Sequence, residues 1–303
     1  MTTRRSFIRN SAAVTAGGLL LPQLSNAFNP LMPAKHPIGI QLFTVGNFMG
    51  DDTVGFLKKL ADIGFKEIES AGGGGGMYYG YKPAELKKIV DDLGMKWVAH
   101  HSAGGKLKLP PNMEMTDQIK AYLEGMRTLE NDHELIMEDA VAGGWDYVVC
   151  ASTPIATVDE INKSIEVFSI VGEACKKAGI QFAYHNHATE FEPVEGRSPY
   201  ERILSQTDKD LVKMELDMAW ALKGGRDPLQ LFDEHPGRFP LWHMKDYDLT
   251  KDGIVRLGEG EVNFERILTG AKKAGMQHMF YEQDTAKSLD DVSYSFNNLN
   301  KLV

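Results

Sequence analysis

Six segments of the chain end in residues capable of acid–base or metal chemistry: Glu67-Ile68-Glu69, His100-His101, His185-Asn186-His187, Glu215-Leu216-Asp217, His243-Met244-Lys245-Asp246 and Glu282-Gln283-Asp284. Each closes a short β-prone run, as Phe182-Ala183-Tyr184 precedes the paired histidines. Imidazole titrates near neutrality, carboxylates exchange protons, and both ligate divalent ions. Alternation along a strand puts Glu215 with Asp217, His243 with Lys245, and His185 with His187 on common faces. If Asp217, His243 and Glu282 all point inward, three successive strands deliver carboxylate, imidazole and carboxylate to one place. That oxygen–nitrogen set suits one divalent ion: Mn2+, Mg2+, Co2+ or Zn2+. A single residue of this kind is more often an ion-paired or hydrogen-bonded core group, so the signal lies in the set. His185, on the adjacent strand, is expected as the fourth member of the ring. His187, Glu190 and Lys245 are expected to handle protons or support the ring. Glu69 and His101, with Lys245, are the expected substrate contacts.

The elements that must position these groups recur. LADIGFKEIES, VDDLGMKWVAH, AVAGGWDYVVC, CKKAGIQFAYH and AKKAGMQHMFYEQ each read as a helical tail, a glycine, and a buried strand with a polar end. Glycine tolerates the positive φ of a helix C-cap, and the apolar run after it suits a parallel strand. The pattern predicts strands near 38–45, 65–70, 96–101, 146–151, 180–187, 212–218, 239–246 and 278–283. It predicts helices near 52–63, 83–93, 115–142, 158–178, 198–206, 228–235, 263–274 and 289–301. Such alternation without a linker specifies an α/β fold, a single (β/α)8 barrel over 36–303, with its catalytic mouth at the strand C-termini. A doubly wound open sheet would carry a phosphate-binding fingerprint after strand one, and QLFTVGNFMGDD has no GxGxxG. The run Gly72–Gly76 lacks the Lys-Ser/Thr ending of a P-loop and is read as flexible cover over the site, with a plain disordered loop as the alternative.

The 303 residues are 43% hydrophobic and 25% charged, an ordinary balance for a packed domain. The net charge of −9, with no basic run after Arg9, argues against nucleic-acid binding. Cys150 and Cys175 give neither a disulfide framework nor a CxxC metal site. At the N-terminus, Arg4-Arg5, the run AAVTAGGLLLP and Ser25-Asn26-Ala27 read as a twin-arginine signal over 1–27, cleaved near Phe28. The apolar run is too short to span a bilayer. The expected mature protein is periplasmic, without a membrane span, with a small carbohydrate as substrate; homo-oligomerisation stays open.

The motifs YHNHATEF, VKMELDMAWALKGGRDP, RFPLWHMKDYD, GEGEVNF and YEQD, in that order, resemble the xylose-isomerase-like barrels, specifically the sugar phosphate isomerases/epimerases. The resemblance implies one divalent metal held by a Glu, Asp, His, Glu set from strands five to eight. Asp217, His243 and Glu282 match the last three, and His185 stands where the first glutamate is expected, with Glu190 the alternative fourth ligand or base. The paired acid and base of the family then fall on His185 and Glu282. It implies isomerisation or epimerisation through an enediolate, the metal acting as Lewis acid. Expulsion of a β-substituent from the same enediolate gives the alternative, a keto-glycoside lyase or dehydratase. A non-catalytic periplasmic carbohydrate-binding protein is the reading from another class. Export and the lack of an Arg/Lys clamp favour an unphosphorylated sugar or keto-sugar.

Overall fold

The structure, a computed structural model, describes residues 36–106 and 125–303. The N-terminal signal expected from the sequence lies outside the described residues.

Eight parallel strands close into a barrel. They are β1 (Ile38–Gln41), β2 (Glu67–Ala71), β3 (Lys96–Ala103), β4 (Tyr147–Ser152), β5 (Gln181–His185), β6 (Val212–Asp217), β7 (Leu241–Met244) and, last in the chain, β10 (His278–Tyr281). Neighbours run in the order β1-β10-β7-β6-β5-β4-β3-β2. Between them run α1 (Thr53–Ile63), α2 (Pro83–Asp92), α3 (Leu129–Gly143), α4 (Val158–Ala178), α5 (Pro199–Gln206), α6 (Met218–Lys223), α7 (Pro228–Glu234), α8 (Phe264–Leu268) and α9 (Ala271–Ala274). Helix α10 (Leu289–Leu299) follows β10, and β8 (Asp246–Asp248) pairs antiparallel with β9 (Gly253–Val255). This is the expected (β/α)8 barrel.

Local chemistry sets the helix ends. Thr157 accepts the amide of Glu160 at the start of α4, and Gly179 closes that helix at φ 74°. A left-handed residue there satisfies the last carbonyls, and glycine adopts it without a Cβ penalty. Burial divides the apolar residues into two sets. One fills the space between barrel wall and helices. The other, Val98, Ala99, Tyr147, Val149, Ala183, Leu241 and Phe280, plugs the barrel interior. Ala183, Leu241 and Phe280 lie two residues before His185, His243 and Glu282. The period of two therefore seats the polar ring on an apolar floor.

Several boundaries differ from the sequence expectation. Strand one stops at Gln41, where Leu42–Val45 tightens into a 3-10 turn. Strand seven stops at Met244, because Asp246–Asp248 joins the β8–β9 hairpin. The helix expected over 263–274 breaks at Gly270, where a Cβ would lie 2.5 Å from Leu229 Cδ2. Helix α6 was not anticipated; it grows directly from β6, with Asp217 Oδ1 accepting the Trp220 amide at 2.9 Å. Of the helix expected over 115–142, residues 115–124 lie outside the described set, and α3 begins at Leu129.

Candidate active site and metal centre

Parallel register sets the site. Gln41 pairs with Glu69, Ala71 with His101, His185 with Glu215, and Asp217 with His243. Glu282 follows β10 directly. These side chains form two connected groups that share His243.

The first group is Asp217, His243 and Glu282, whose donor atoms all lie within 4.8 Å of one another. His243 Nδ1 stands 2.7 Å from Glu282 Oε2 and 3.8 Å from Asp217 Oδ2. Lys245 Nζ lies 2.7 Å from Glu282 Oε2, 3.2 Å from Asp217 Oδ2 and 3.2 Å from Asp284 Oδ1. The Lys245 ammonium also sits 5.2 Å over the Trp220 ring.

The second group is His101, His185, Glu215 and, again, His243. Glu215 Oε2 lies 2.6 Å from His101 Nε2, 3.0 Å from His185 Nδ1 and 3.2 Å from His243 Nε2. Glu69 Oε2 accepts Gln41 Nε2 at 2.8 Å and lies 2.7 Å from His243 Nε2.

Charge follows from this packing. Burial alone would lower the pKa of His101, but the Glu69 and Glu215 carboxylates outweigh it and lift it to about 10. His243 is raised well above its ordinary value in the same contest, by Glu215 and Glu282. His185 goes the other way: burial, helped by the neighbouring imidazoles, outweighs its bond to Glu215 and keeps it neutral. Burial would raise Glu282, yet Lys245 and His243 hold it well below the carboxylate range. Asp217 is raised: burial, with Glu282 beside it, outweighs Lys245 and His243. Lys245 stays charged, because Asp217, Glu282 and Asp284 overcome its burial.

The first group fits a divalent ion. Its donors are two carboxylates and an imidazole, and the buried Asp217 Oδ2 makes no hydrogen bond, with the Lys245 ammonium beside it at 3.2 Å. His243 also offers the arrangement that ligating histidines show: one ring nitrogen faces the donors while the other is hydrogen-bonded to a carboxylate, here Glu69.

The strand ends open into a cavity of 480 Å³. Its walls include His101, His185, His187, Lys245, Glu282 and Asp284 on one side and Phe43 and Gly72–Gly76 on another. Four of those glycines, Gly72, Gly73, Gly75 and Gly76, have positive φ, and Gly74 pairs with Met77 in a tight antiparallel turn.

The expected site residues therefore separate by position. Of the expected substrate contacts, His101 and Lys245 line the cavity, whereas Glu69 is fully buried and does not. His185 lines the cavity and reaches Glu215, outside the Asp217–His243–Glu282 group. His187 is half-exposed in the wall. Glu190 lies outside that wall and is engaged locally: it accepts the Tyr184 hydroxyl at 3.2 Å, the His187 amide at 2.9 Å and the Thr189 hydroxyl at 3.1 Å. Its pKa is lowered against burial by His187 and these hydrogen bonds.

Two residues acquire roles the sequence did not give them. Glu215 joins three imidazoles; the signal available was its place two residues before Asp217 on the same strand face. Asp246 takes no part in the site. Its carboxylate accepts the amides of Tyr247, Gly258, Gly260 and Val262 at 2.8–3.1 Å, folding the GEGEV loop around itself.

Among curated relatives, the inosose dehydratase of Lacticaseibacillus casei is 25% identical over 169 residues, covering 49% of this chain and 56% of the relative. That of Geobacillus kaustophilus is 35% identical over 72 residues, 24% of this chain and 23% of the relative. The chain thus spans about half, or less, of the length of the curated relatives it matches. A sugar phosphate isomerase/epimerase from Parabacteroides distasonis superposes with a TM-score of 0.70 at 26% identity, over 89% of this chain and 95% of that one. An L-ribulose 3-epimerase, at 16% identity and TM-score 0.63 over 88% of this chain and 93% of its own, shares the fold. Residues 57–291 match the model of the xylose isomerase-like TIM barrel family, and the chain belongs to that family.

Proposed function

We propose that the protein is a divalent-metal-dependent isomerase or epimerase of an unphosphorylated sugar or keto-sugar, working by proton transfer at a carbon beside a carbonyl. The observation that carries this reading is the meeting of Asp217, His243 and Glu282 beside a cavity whose wall also holds His185, His187 and Lys245. Asp217, His243 and Glu282 would hold the ion. When bound, it supplies Lewis-acid stabilisation of the charge that develops on adjacent carbonyl and hydroxyl oxygens. Glu282, held ionised, and the cavity-lining histidines are the groups able to take and return a proton. Lys245, fixed as an ammonium between three carboxylates, orients a substrate oxygen. The buried ring beneath them excludes water from the reacting face.

A dehydratase or keto-glycoside lyase is the second reading. It draws on the similarity to inosose dehydratases and on the unlike pair of proton-transfer groups, His185 and Glu282. Unlike groups suit elimination, in which one removes the α-proton and the other protonates the departing oxygen.

We also propose export to the periplasm through the twin-arginine route, supported by Arg4-Arg5 and the small-residue cleavage site Ser25-Asn26-Ala27.

Chelator treatment followed by reconstitution with Mn2+, Co2+, Zn2+ or Mg2+ tests the main proposal on a panel of ketoses and keto-glycosides. Activity should vanish with the metal and return with one of these ions. Turnover that survives complete metal removal would contradict it.

A further inference from the structure

Among the described residues, two permanent cations line the cavity, Lys245 and Arg127. Lys245 is taken up by Asp217, Glu282 and Asp284 at 2.7–3.2 Å. Arg127 is held from one side only. Its Nη1 stands 2.5 Å from Asp139 Oδ2, which also accepts the Tyr78 hydroxyl at 2.8 Å. Tyr78 is fixed in turn by edge-on packing against Trp97, His100 and Trp145, with ring centroids 4.8–5.5 Å apart. A carboxylate locked in this way sets where the guanidinium points. Among the described residues, no hydrogen bond engages Nη2 or Nε of Arg127. That free edge runs along the glycine loop: a Cβ on Gly76 would lie 3.0 Å from Nη2, and the Gly75 amide donates to the Gly125 carbonyl at 3.3 Å. The glycines thus leave the guanidinium room at the cavity wall. We propose that Arg127 binds a carboxylate of the substrate, so that the proposed reaction acts on a keto-sugar acid.

A guanidinium presents paired N–H groups that match the two oxygens of a carboxylate, and it stays charged at any working pH. The bond to Asp139 uses one nitrogen and leaves the rest of the fork available. One free edge suits a singly charged carboxylate. A phosphate dianion would call for further positive charge, and the wall offers Glu282 and Asp284, with Lys245 already paired to both. Arg127 and the Glu282 side line the same cavity of 480 Å³, a volume in the range of small-molecule sites. Lys245 then addresses the reacting oxygens and Arg127 the carboxylate, so the two cations fix which end of the sugar enters. A neutral sugar leaves the free edge of Arg127 without an anionic partner, which makes this residue the one that selects by charge.

This inference rests on the proposed function for its reaction and is read by binding, independently of turnover. The metal-loaded protein is titrated by calorimetry with 5-keto-D-gluconate, D-fructuronate and D-tagaturonate, each beside its neutral counterpart, L-sorbose, D-fructose and D-tagatose. At least one acid should bind at least about tenfold tighter than its counterpart. Arg127→Gln should bring that acid down to the affinity of the neutral sugar, with metal content unchanged. Arg127→Lys keeps a charge opposite Asp139 but lacks the fork; it should lose most of the preference too, and it serves where Arg127→Gln fails to fold. D-fructose 6-phosphate and D-tagatose 6-phosphate should bind more weakly than the acids; tighter binding that is lost in Arg127→Gln would overturn the assignment to a carboxylate. A wild type that binds no acid tighter than its neutral counterpart, or a preference that survives Arg127→Gln, overturns the inference. Either result leaves the proposed function standing, since that is judged by metal-dependent turnover.

Discussion

His243 carries the account at the scale of single residues, because its two nitrogens serve two carboxylate groups. Nδ1 faces Glu282 and Asp217, and Nε2 faces Glu69. A carboxylate behind a ligating imidazole fixes its tautomer and raises its basicity, and loss of such a partner costs about 10–100-fold in metal affinity. Glu69→Gln should therefore weaken ion binding by about that factor, measured by competition with a chromogenic chelator. Asp217→Ala and Glu282→Ala should lose the proposed ion altogether. His100, next to the site in sequence, does different work. Trp97 Nε1 donates to Ser70 Oγ at 2.7 Å, so the single Ser70 proton goes to His100 Nδ1 at 2.8 Å. That bond needs a neutral imidazole, and burial, with the nearby His101, lowers the His100 pKa to about 3. Unfolded, this side chain titrates near about 6.5. Between those values the unfolded chain binds the extra proton, so stability is full above the unfolded value and falls as pH drops toward 3. The slope is at most about 1.4 kcal/mol per pH unit from this group. His100→Gln should flatten that part of the acid-unfolding curve, followed by urea denaturation at a series of pH values.

At the scale of elements, the barrel depends on close approach where β1 meets its neighbours. A Cβ on Gly39 would stand 2.4 Å from Phe280 Cδ1, within the apolar plug under the site. Gly39→Ala should cost about 1–3 kcal/mol by forcing that ring aside, read as a lower denaturation midpoint. Asp246→Ala should cost at least about 2 kcal/mol by leaving backbone amides without their charged acceptor, and should loosen the loop of residues 257–262 as seen by hydrogen exchange. These two positions also show what the sequence displays and what it hides. Strand and helix order were legible from glycine caps and apolar runs, and the meeting of Asp217, His243 and Glu282 from the period of two, whereas His185, expected with them, turns to Glu215 instead. Asp246 looked like another site residue by its type and its place at a strand end, although its parity is opposite to that of His243 and Lys245. The turn of the chain into the β8–β9 hairpin takes it away from the mouth. Glu69 and His101 similarly share a strand-end signature, and cavity shape alone separates the buried one from the lining one. Helix α6 was hidden because six residues with mixed burial give no 3.6-residue period to detect.

At the scale of the whole molecule, one end of the barrel gathers the polar strand ends above an apolar plug. Among the described residues, no helix is long and apolar enough to cross a membrane. Replacing Arg4 and Arg5 by lysine should abolish the proposed export, leaving the precursor in the cytoplasmic fraction. Unchanged periplasmic yield would count against the twin-arginine route. The proposed transfer of a proton on and off a carbon beside a carbonyl is tested by turnover of keto-sugars and keto-glycosides in deuterium oxide by the metal-loaded enzyme, followed by NMR. Solvent deuterium should appear at the inverted or shifted carbon with no fragment released. Release of water or an aglycone with loss of the α-proton would instead establish the dehydratase or lyase, and an epimerised product that carries no solvent deuterium would contradict proton transfer with solvent-exchangeable groups.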